Sequence, residues 1–508
     1  MLKTYTFSRS TARRAGGGLS LLAALVLSAC GGGGGGGGDV TASAESDPVA
    51  ALSSVTTEVL PTFHTAPVDI SDPSLVPSDP DVVRTETVLP AMEGMVTARL
   101  LPETVASEAV VARRLAVENA GTISARAAST VTVYTPAQIR AAYKLPAVSA
   151  TGAVSTAAAR AALGAGQTIY IVDAYHNPNT FSDLNTYSSR LNLPGCTSVT
   201  ISATASLPLA AASTAAGCTF SVVYAGATSG RTATAPAYNA SWAAEIAMDV
   251  ESAHAIAPLA RIVLIEAASS SLSALANAIT VANNMGSGVV SMSFGALEGS
   301  WTASVDSLFQ VSGMQYTAST GDAGAAVNWP AVSAKVLATG GTSLTYNGST
   351  RFEVVWTGTG GGTSAYTAVP TYQKALSSSI TKRRVADVAI DSDPYTGQYV
   401  GITVPGSAFG FMSGGGTSIA APEWAGLLAI ASAQRALSSL PVLSSVHSAL
   451  YLNVLPSASS YAQSFLDVTS GSNGTCSTCK ATTGYDSSTG LGSPNGTALL
   501  GFLSAIKQ

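Results

Sequence analysis

Charge is scarce in this chain. Asp, Glu, Lys and Arg make up 10% of its 508 residues, against about 25% in an average soluble protein. The net charge is −5 and the sequence pI about 5.4, so there is no basic surface to hold a phosphate backbone, which argues against nucleic acid as a partner. A surface this poor in lysine and arginine also has few positive charges to repel one another in acid. Histidine is rarer still: His64, His176, His254 and His447 are the only four, and none precedes a glycine. The apolar run at residues 19–29 is too short for a typical membrane-spanning helix, and the later ones are broken by Gly, Ser and Pro. No internal repeat is present. Of five cysteines, Cys30 stands apart. The other four, Cys196, Cys218, Cys476 and Cys479, are an even set that in an oxidising compartment points to two disulfides. Three pairings are open, and Cys196–Cys218 with Cys476–Cys479 is the local one. Zinc is the rival reading of Cys476-x-x-Cys479, but no histidine lies close to it in sequence.

What is present begins with an address. Lys3, Arg9, Arg13 and Arg14 precede the apolar run, which ends in Leu27-Ser28-Ala29-Cys30. This resembles a bacterial lipobox, with Cys30 as the lipidated first residue after cleavage of residues 1–30. The expectation is an exported protein of the bacterial cell envelope, lipid-anchored or secreted after processing, and touching membrane only through Cys30. Glycines 31–38 form a flexible tether. The rest of 31–129, rich in Ala, Ser, Thr and Pro, reads as linker and short pro-region.

Texture changes at Tyr134, and residues 130–508 read as one domain. Thr135-Pro136 is a helix start, with a cap followed by proline at the first helical position. Short apolar strands at 167–172, 262–265, 289–292 and 315–318 alternate with helical patterns such as 271–284. That pattern predicts an α/β fold, a mostly parallel central sheet flanked by helices, with chemistry gathered at the carboxyl ends of its strands.

Three motifs carry chemistry. Gly414-Gly415-Gly416-Thr417-Ser418 ends in a serine that opens an apolar helix, where the helix dipole favours developing negative charge. Without more context Ser418 reads equally well as a helix cap. The longer string, Gly-Thr-Ser-x-x-x-Pro, resembles the nucleophile motif of subtilisin-like proteases, yet no His-Gly is present to supply a base. On the helix of residues 239–255, Glu245 and Asp249 are four apart and share one face. In apolar surroundings the two repel unless one keeps a proton, which couples their titrations. Gly321-Asp322-Ala323-Gly324 is a turn following a strand.

In this order the motifs resemble the sedolisin, or serine-carboxyl peptidase, family, which has a subtilisin-like fold. The likeness covers roughly residues 134–494. It implies Ser418 as nucleophile, Glu245 as general base, Asp249 as the residue orienting Glu245, and Asp322 as donor to the oxyanion. It also implies a substrate cleft along Ser293, Phe294 and Gly295. Gly340-Gly341-Thr342, Gly360-Gly361-Gly362 and Asp387-Val388-Ala389 are similar to family segments as well. Near the C-terminus it implies Ca²⁺ held by Asp467 and Asp486 with the carbonyls of Val468, Thr482 and Gly484, a donor set suited to a hard cation. The expected function is an endopeptidase acting on polypeptides in acid, as a monomer. Alternatives are an exopeptidase of tripeptidyl type and a non-catalytic peptide-binding lipoprotein.

Overall fold

The computed structural model describes residues 129–151 and 153–508, residues 55–73 and 83–89, and single positions between 49 and 108. The signal region, Cys30 and the glycine tether lie outside the described residues.

Four strands of the central sheet fall on the apolar segments read from sequence, and three more join them. They are β1 (Thr168–Ala174), β2 (Thr197–Ser198), β3 (Thr219–Ala225), β4 (Arg261–Ala267), β5 (Gly288–Met292), β6 (Met314–Ser319) and β7 (Leu337–Tyr346). With β8 (Arg351–Val355) the spatial order is β8-β7-β6-β5-β1-β4-β3-β2. Every pair on this path is parallel except β7 with β8, and β9 (Val388–Asp391) also pairs parallel with β7. Strand β1 is buried along its whole length, as a parallel strand covered on both faces must be.

Side chains alternate between two cores. Ile169, Ile171, Ile262 and Leu264 point toward α2 (Ala240–Ile256) and α4 (Thr417–Leu437), meeting Ile246, Val250 and Trp424. Tyr170, Val172, Val263 and Ile265 point to the other side, against α3 (Leu272–Asn284). Helix α1 (Thr180–Arg190) packs near the β3 side, where Phe181 stacks on Phe220. Helix starts are capped by the residues one would choose. Asn239 accepts from Trp242 N at 3.1 Å, Ser271 from Ala274 N at 3.3 Å, and Thr135 forms a capping box with Gln138. Among the described residues no helix is long and apolar enough to cross a membrane.

The described part of the segment read as linker and pro-region is packed on the domain. Leu60–Pro61 pairs antiparallel with Phe294–Leu297, His64–Thr65 with the strand Phe409–Gly415, and Arg84–Thr87 with Thr130–Val133. Ala66, Val68, Ile70 and Val88 share an apolar cluster with Val131, Tyr187 and Leu191. The sequence hid this because two of these strands are only two residues long, too short to show a period.

Candidate active site

The ends of three adjacent sheet strands, the middle of one helix and the start of another converge on one place. Strand β1 ends beside Asp173, β5 runs into Ser293, and β6 leads through Thr320 to Asp322. Helix α2 presents Glu245 and Asp249, and α4 begins beside Ser418. All five carboxyl and hydroxyl residues from Asp173, Glu245, Asp249, Ser293 and Ser418 are fully buried.

Gly416 makes the turn into α4 with φ +93°, a conformation for which glycine is suited. A Cβ there would sit 2.5 Å from both Asp322 Oδ2 and the carbonyl oxygen of Thr62, and 2.8 Å from Phe63 Cα. Backbone, Asp322 and the Thr62–Phe63 peptide are therefore crowded around a single point. Asp322 is fixed from one side: its Oδ1 accepts from Thr417 N at 2.9 Å and Thr417 Oγ1 at 2.7 Å. Its Oδ2 lies toward Thr62, 3.5 Å from His64 Nε2. Behind the turn, Gly360 packs so closely on Thr320 that a Cβ would fall 2.0 Å from the Thr320 carbonyl oxygen, which accounts for one of the three consecutive glycines.

Ser418 is covered by residues 62–63. Its backbone N–H donates to Thr62 O at 3.0 Å, and its hydroxyl contacts the same oxygen. Thr62 Oγ1 lies 3.0 Å from Ser418 Oγ and donates to Ser319 Oγ at 2.7 Å. Thr62 N donates to Ser293 O at 3.2 Å, and Ser293 Oγ donates to Ser418 O at 3.1 Å. The strand of Phe294 and Gly295 pairs antiparallel with Pro61 and Leu60, an extended stretch of this same chain. Glu298, just beyond, accepts from Ser364 Oγ at 2.5 Å and Ala365 N at 2.7 Å, bracing that wall against the strand Gly362–Ala368.

The carboxyls of α2 have a further carboxyl neighbour, Asp173. Burial pushes Asp249 well above the usual carboxylate range, the charges of Asp173 and Glu245 push the same way, and hydrogen bonding from Ser293 opposes them. Asp173 is itself pushed up by burial and by Glu266, its register partner on β4. Glu266 ends the row, bonded to His176 Nδ1 at 2.6 Å. The signal that could have found Asp173 was its position at the carboxyl end of a buried strand. Its partner there is another carboxyl, Glu266, rather than a histidine.

The remaining sequence candidates fall elsewhere. Cys196–Cys218 and Cys476–Cys479 are disulfide-bonded, with Cα separations of 4.6 and 5.1 Å. His254 lies 3.6 Å from Cys196 Sγ, the one three-residue group of possible metal ligands among the described residues, but disulfide sulfurs offer no thiolate to a metal. Asp387 is a structural residue: buried, it forms a two-pronged pair with Arg383 at 2.7 and 2.5 Å and accepts from Tyr451 OH at 2.7 Å. Asp467 and Asp486 meet at one loop. Asp467 Oδ2 accepts from Gly484 N at 2.9 Å and Asp486 Oδ2 from Thr482 N at 3.4 Å. Among the described residues no hydrogen bond is made to the carbonyls of Val468, Thr482 or Gly484.

A mostly parallel sheet between helix layers, with a serine opening a buried helix at the carboxyl ends of the strands, defines an α/β protein of subtilisin-like fold. The solved structure of Pseudomonas sedolisin, a serine-carboxyl proteinase complexed with two molecules of pseudo-iodotyrostatin, has this fold. It superposes with a TM-score of 0.55 at 24% identity, over 73% of this chain and 98% of that one. No family model matches the sequence. Two curated relatives are kumamolisin of Bacillus sp. (strain MN-32), 32% identical over 50% of this chain and 50% of its own length, and xanthomonalisin of Xanthomonas sp. (strain T-22), 36% identical over 33% of this chain and 21% of its own. The chain thus spans half or less of the curated relatives it matches. In fold, and over these stretches of sequence, the chain is similar to proteins of the sedolisin family.

Proposed function

We propose that this protein hydrolyses peptide bonds by a serine-carboxyl mechanism and does so in acid. The observation that carries the reading is a peptide carbonyl, that of Thr62, seated against both the backbone N–H and the hydroxyl of Ser418. A carbonyl held this way is what a serine nucleophile and an oxyanion donor are built to receive.

The roles follow from the chemistry of the groups. Ser418 Oγ attacks the carbonyl carbon while Glu245 takes its proton. Asp249 sits with Glu245 among buried carboxyls, so the set sheds its protons unequally and a neutral member donates to a charged one. The Ser418 N–H and a protonated Asp322 Oδ2 stabilise the tetrahedral oxyanion. Glu245 must be ionised and Asp322 neutral, a combination available only on the acid side of neutrality. Digestion of a denatured protein at pH 3–5 is the direct test. Wild type is expected to cleave it into many internal fragments, and Ser418→Ala to lose at least about 10⁴-fold in rate. Stepwise release of short N-terminal peptides instead would mark the exopeptidase alternative.

Asp467 and Asp486, with the carbonyls of Val468, Thr482 and Gly484, suit Ca²⁺ by donor type, and both carboxylates already close on the Thr482–Gly484 loop. Calcium there would neutralise two carboxylates and tie the C-terminal loops together. Further parts of the reading are export, lipidation at Cys30 and action on polypeptides in the cell envelope or outside it.

A further inference from the structure

We infer that Asn473, clamped by the Cys476–Cys479 disulfide, is a positioning residue for the turn that carries Asp322, and that the redox state of this disulfide sets the rate of the chemical step. The inference rests on the peptidase reading above, in which Asp322 donates to the oxyanion.

The turn of residues 321–324 is anchored on its inner side. Gly321 N donates to Thr417 Oγ1 at 3.0 Å, and Gly324 N donates to Gly358 O at 2.9 Å. Its outer side faces solvent, where Ala323 and Ala325 are exposed. There the loop of residues 472–480 reaches it. Ala325 N donates to Asn473 O at 2.9 Å. The approach is close: a Cβ on Gly324 would sit 2.8 Å from Asn473 O, and one on Gly474 would sit 3.1 Å from Ala325 Cβ. An oxyanion donor is effective when its place is fixed before the reaction begins. Whatever holds Asn473 therefore bears on Asp322.

Asn473 is 4% exposed and is held at both ends. Its Nδ2 donates to Thr359 O at 3.0 Å, beside the Gly360 that packs on Thr320. Its backbone N donates to Cys479 O at 3.1 Å, and Ser488 Oγ donates to the same oxygen at 2.9 Å. Ser472 bridges antiparallel to Lys480, and Cys479 N donates to Cys476 O at 3.2 Å, so the disulfide closes a turn that is already folded back on itself. The two cysteines differ in access. Cys479 is 2% exposed and lies under Gly474, whose Cβ would fall 3.0 Å from its Sγ, whereas Cys476 is exposed. The clamp can be opened from solvent at Cys476, while Cys196 and Cys218 are both buried.

The co-reactant is an external dithiol. Its thiolate attacks Cys476 Sγ, the S–S bond breaks, and Cys479 leaves as a thiolate that takes up the proton. The second thiol of the dithiol then displaces Cys476 from the mixed disulfide. Two protein thiols form, and the dithiol is oxidised to its own disulfide. The loop loses its covalent closure, and the Asn473 contact to Ala325 loosens with it. A reducing compartment keeps the clamp open and an oxidising one closes it. Hydrolysis then runs at its full rate only where the disulfide can form.

The test uses the full chain with Cys476→Ser and Cys479→Ser combined. In parallel, wild type is opened with dithiothreitol at about pH 8, where thiols of pKa about 8.5 supply thiolate, and capped with iodoacetamide. Both are assayed in acid with Ca²⁺ in excess. The expected result is a kcat about 10-fold lower with KM within about twofold, a fraction of the about 10²–10³-fold that loss of an oxyanion donor costs. A peptide aldehyde, whose hemiacetal oxygen takes the oxyanion's place, should lose affinity by the same factor, while the matching peptide alcohol binds as before. Asn473→Ala should reproduce the effect with the disulfide intact, and dithiothreitol should change nothing further in the double variant. An unchanged kcat, a change in KM alone, or equal weakening of aldehyde and alcohol overturns the inference and leaves the peptidase reading standing. Untreated wild type that digests nothing in acid overturns both.

Discussion

At the scale of single residues, the site is a problem in sharing protons. Asp173, Glu245, Asp249 and Glu266 are buried together; burial pushes Asp173, Asp249 and Glu266 above the ordinary carboxylate range, like charge adds to it at Asp173 and Asp249, and His176 opposes it at Glu266. Asp173→Asn removes one like charge from beside Asp249 while keeping its volume. The Asp249–Glu245 pair should then ionise at lower pH, moving the acid limb of the rate profile down by up to about one unit, with the rate at the optimum within about tenfold of wild type. A rate lowered equally at every pH would show that Asp173 acts on shape alone.

At the scale of elements, the helices and central strands were legible and the short pairings were not. Helix α2 could be read from Asn239 as cap and from a run in which only Glu245, Asp249, Glu251 and His254 interrupt apolar or small residues. The same run shows that the acidic pair is buried, since no polar face is left for it to occupy. Strand β1 was legible as an unbroken apolar stretch. By contrast, nothing in Leu60-Pro61-Thr62-Phe63-His64-Thr65 marks it as a chain lying over Ser418, because the strands it pairs with beside that serine lie more than 200 residues away. The glycine strings were legible as motifs, but their cause was not: Gly360 against Thr320 is a tertiary contact. So too with Asp387. It opens β9, and burial alone would raise it, but Arg383 and then His447 drive it below the ordinary carboxylate range. The Arg383–Asp387 pair therefore stays ionised in acid. Asp387→Asn leaves the guanidinium buried without its partner charge and should cost about 3–5 kcal/mol of stability, read as a lowered denaturation midpoint.

At the scale of the whole molecule, buried carboxyls outside the candidate site also favour the fold in acid. Burial lifts Glu423 on α4 from 4.5 to about 8, with the Gln398 hydrogen bond pulling the other way. Asp173, Asp249, Glu251 and Asp391 are raised by burial as well. A carboxyl whose folded pKa lies above its unfolded one binds its proton more tightly in the fold. Its contribution is complete below about 4.5 and is lost as pH rises toward about 8. Thermal unfolding of the Ser418→Ala protein, which removes self-digestion, should therefore show a lower Tm at pH 8 than at pH 4.5. Glu423→Gln should flatten that fall by about 3–8 °C. A Tm that rises with pH would mean that the buried carboxyls are ionised in the native state.

The central claim is that carboxyls do the work of a base here, and a rate profile tests it most directly. Cleavage of a denatured protein should be followed from pH 3 to 8 for wild type, Ser418→Ala and Glu245→Ala. The account predicts a bell with its maximum well below neutrality, abolished by both substitutions. A maximum near pH 8, or activity that survives Glu245→Ala, would contradict it.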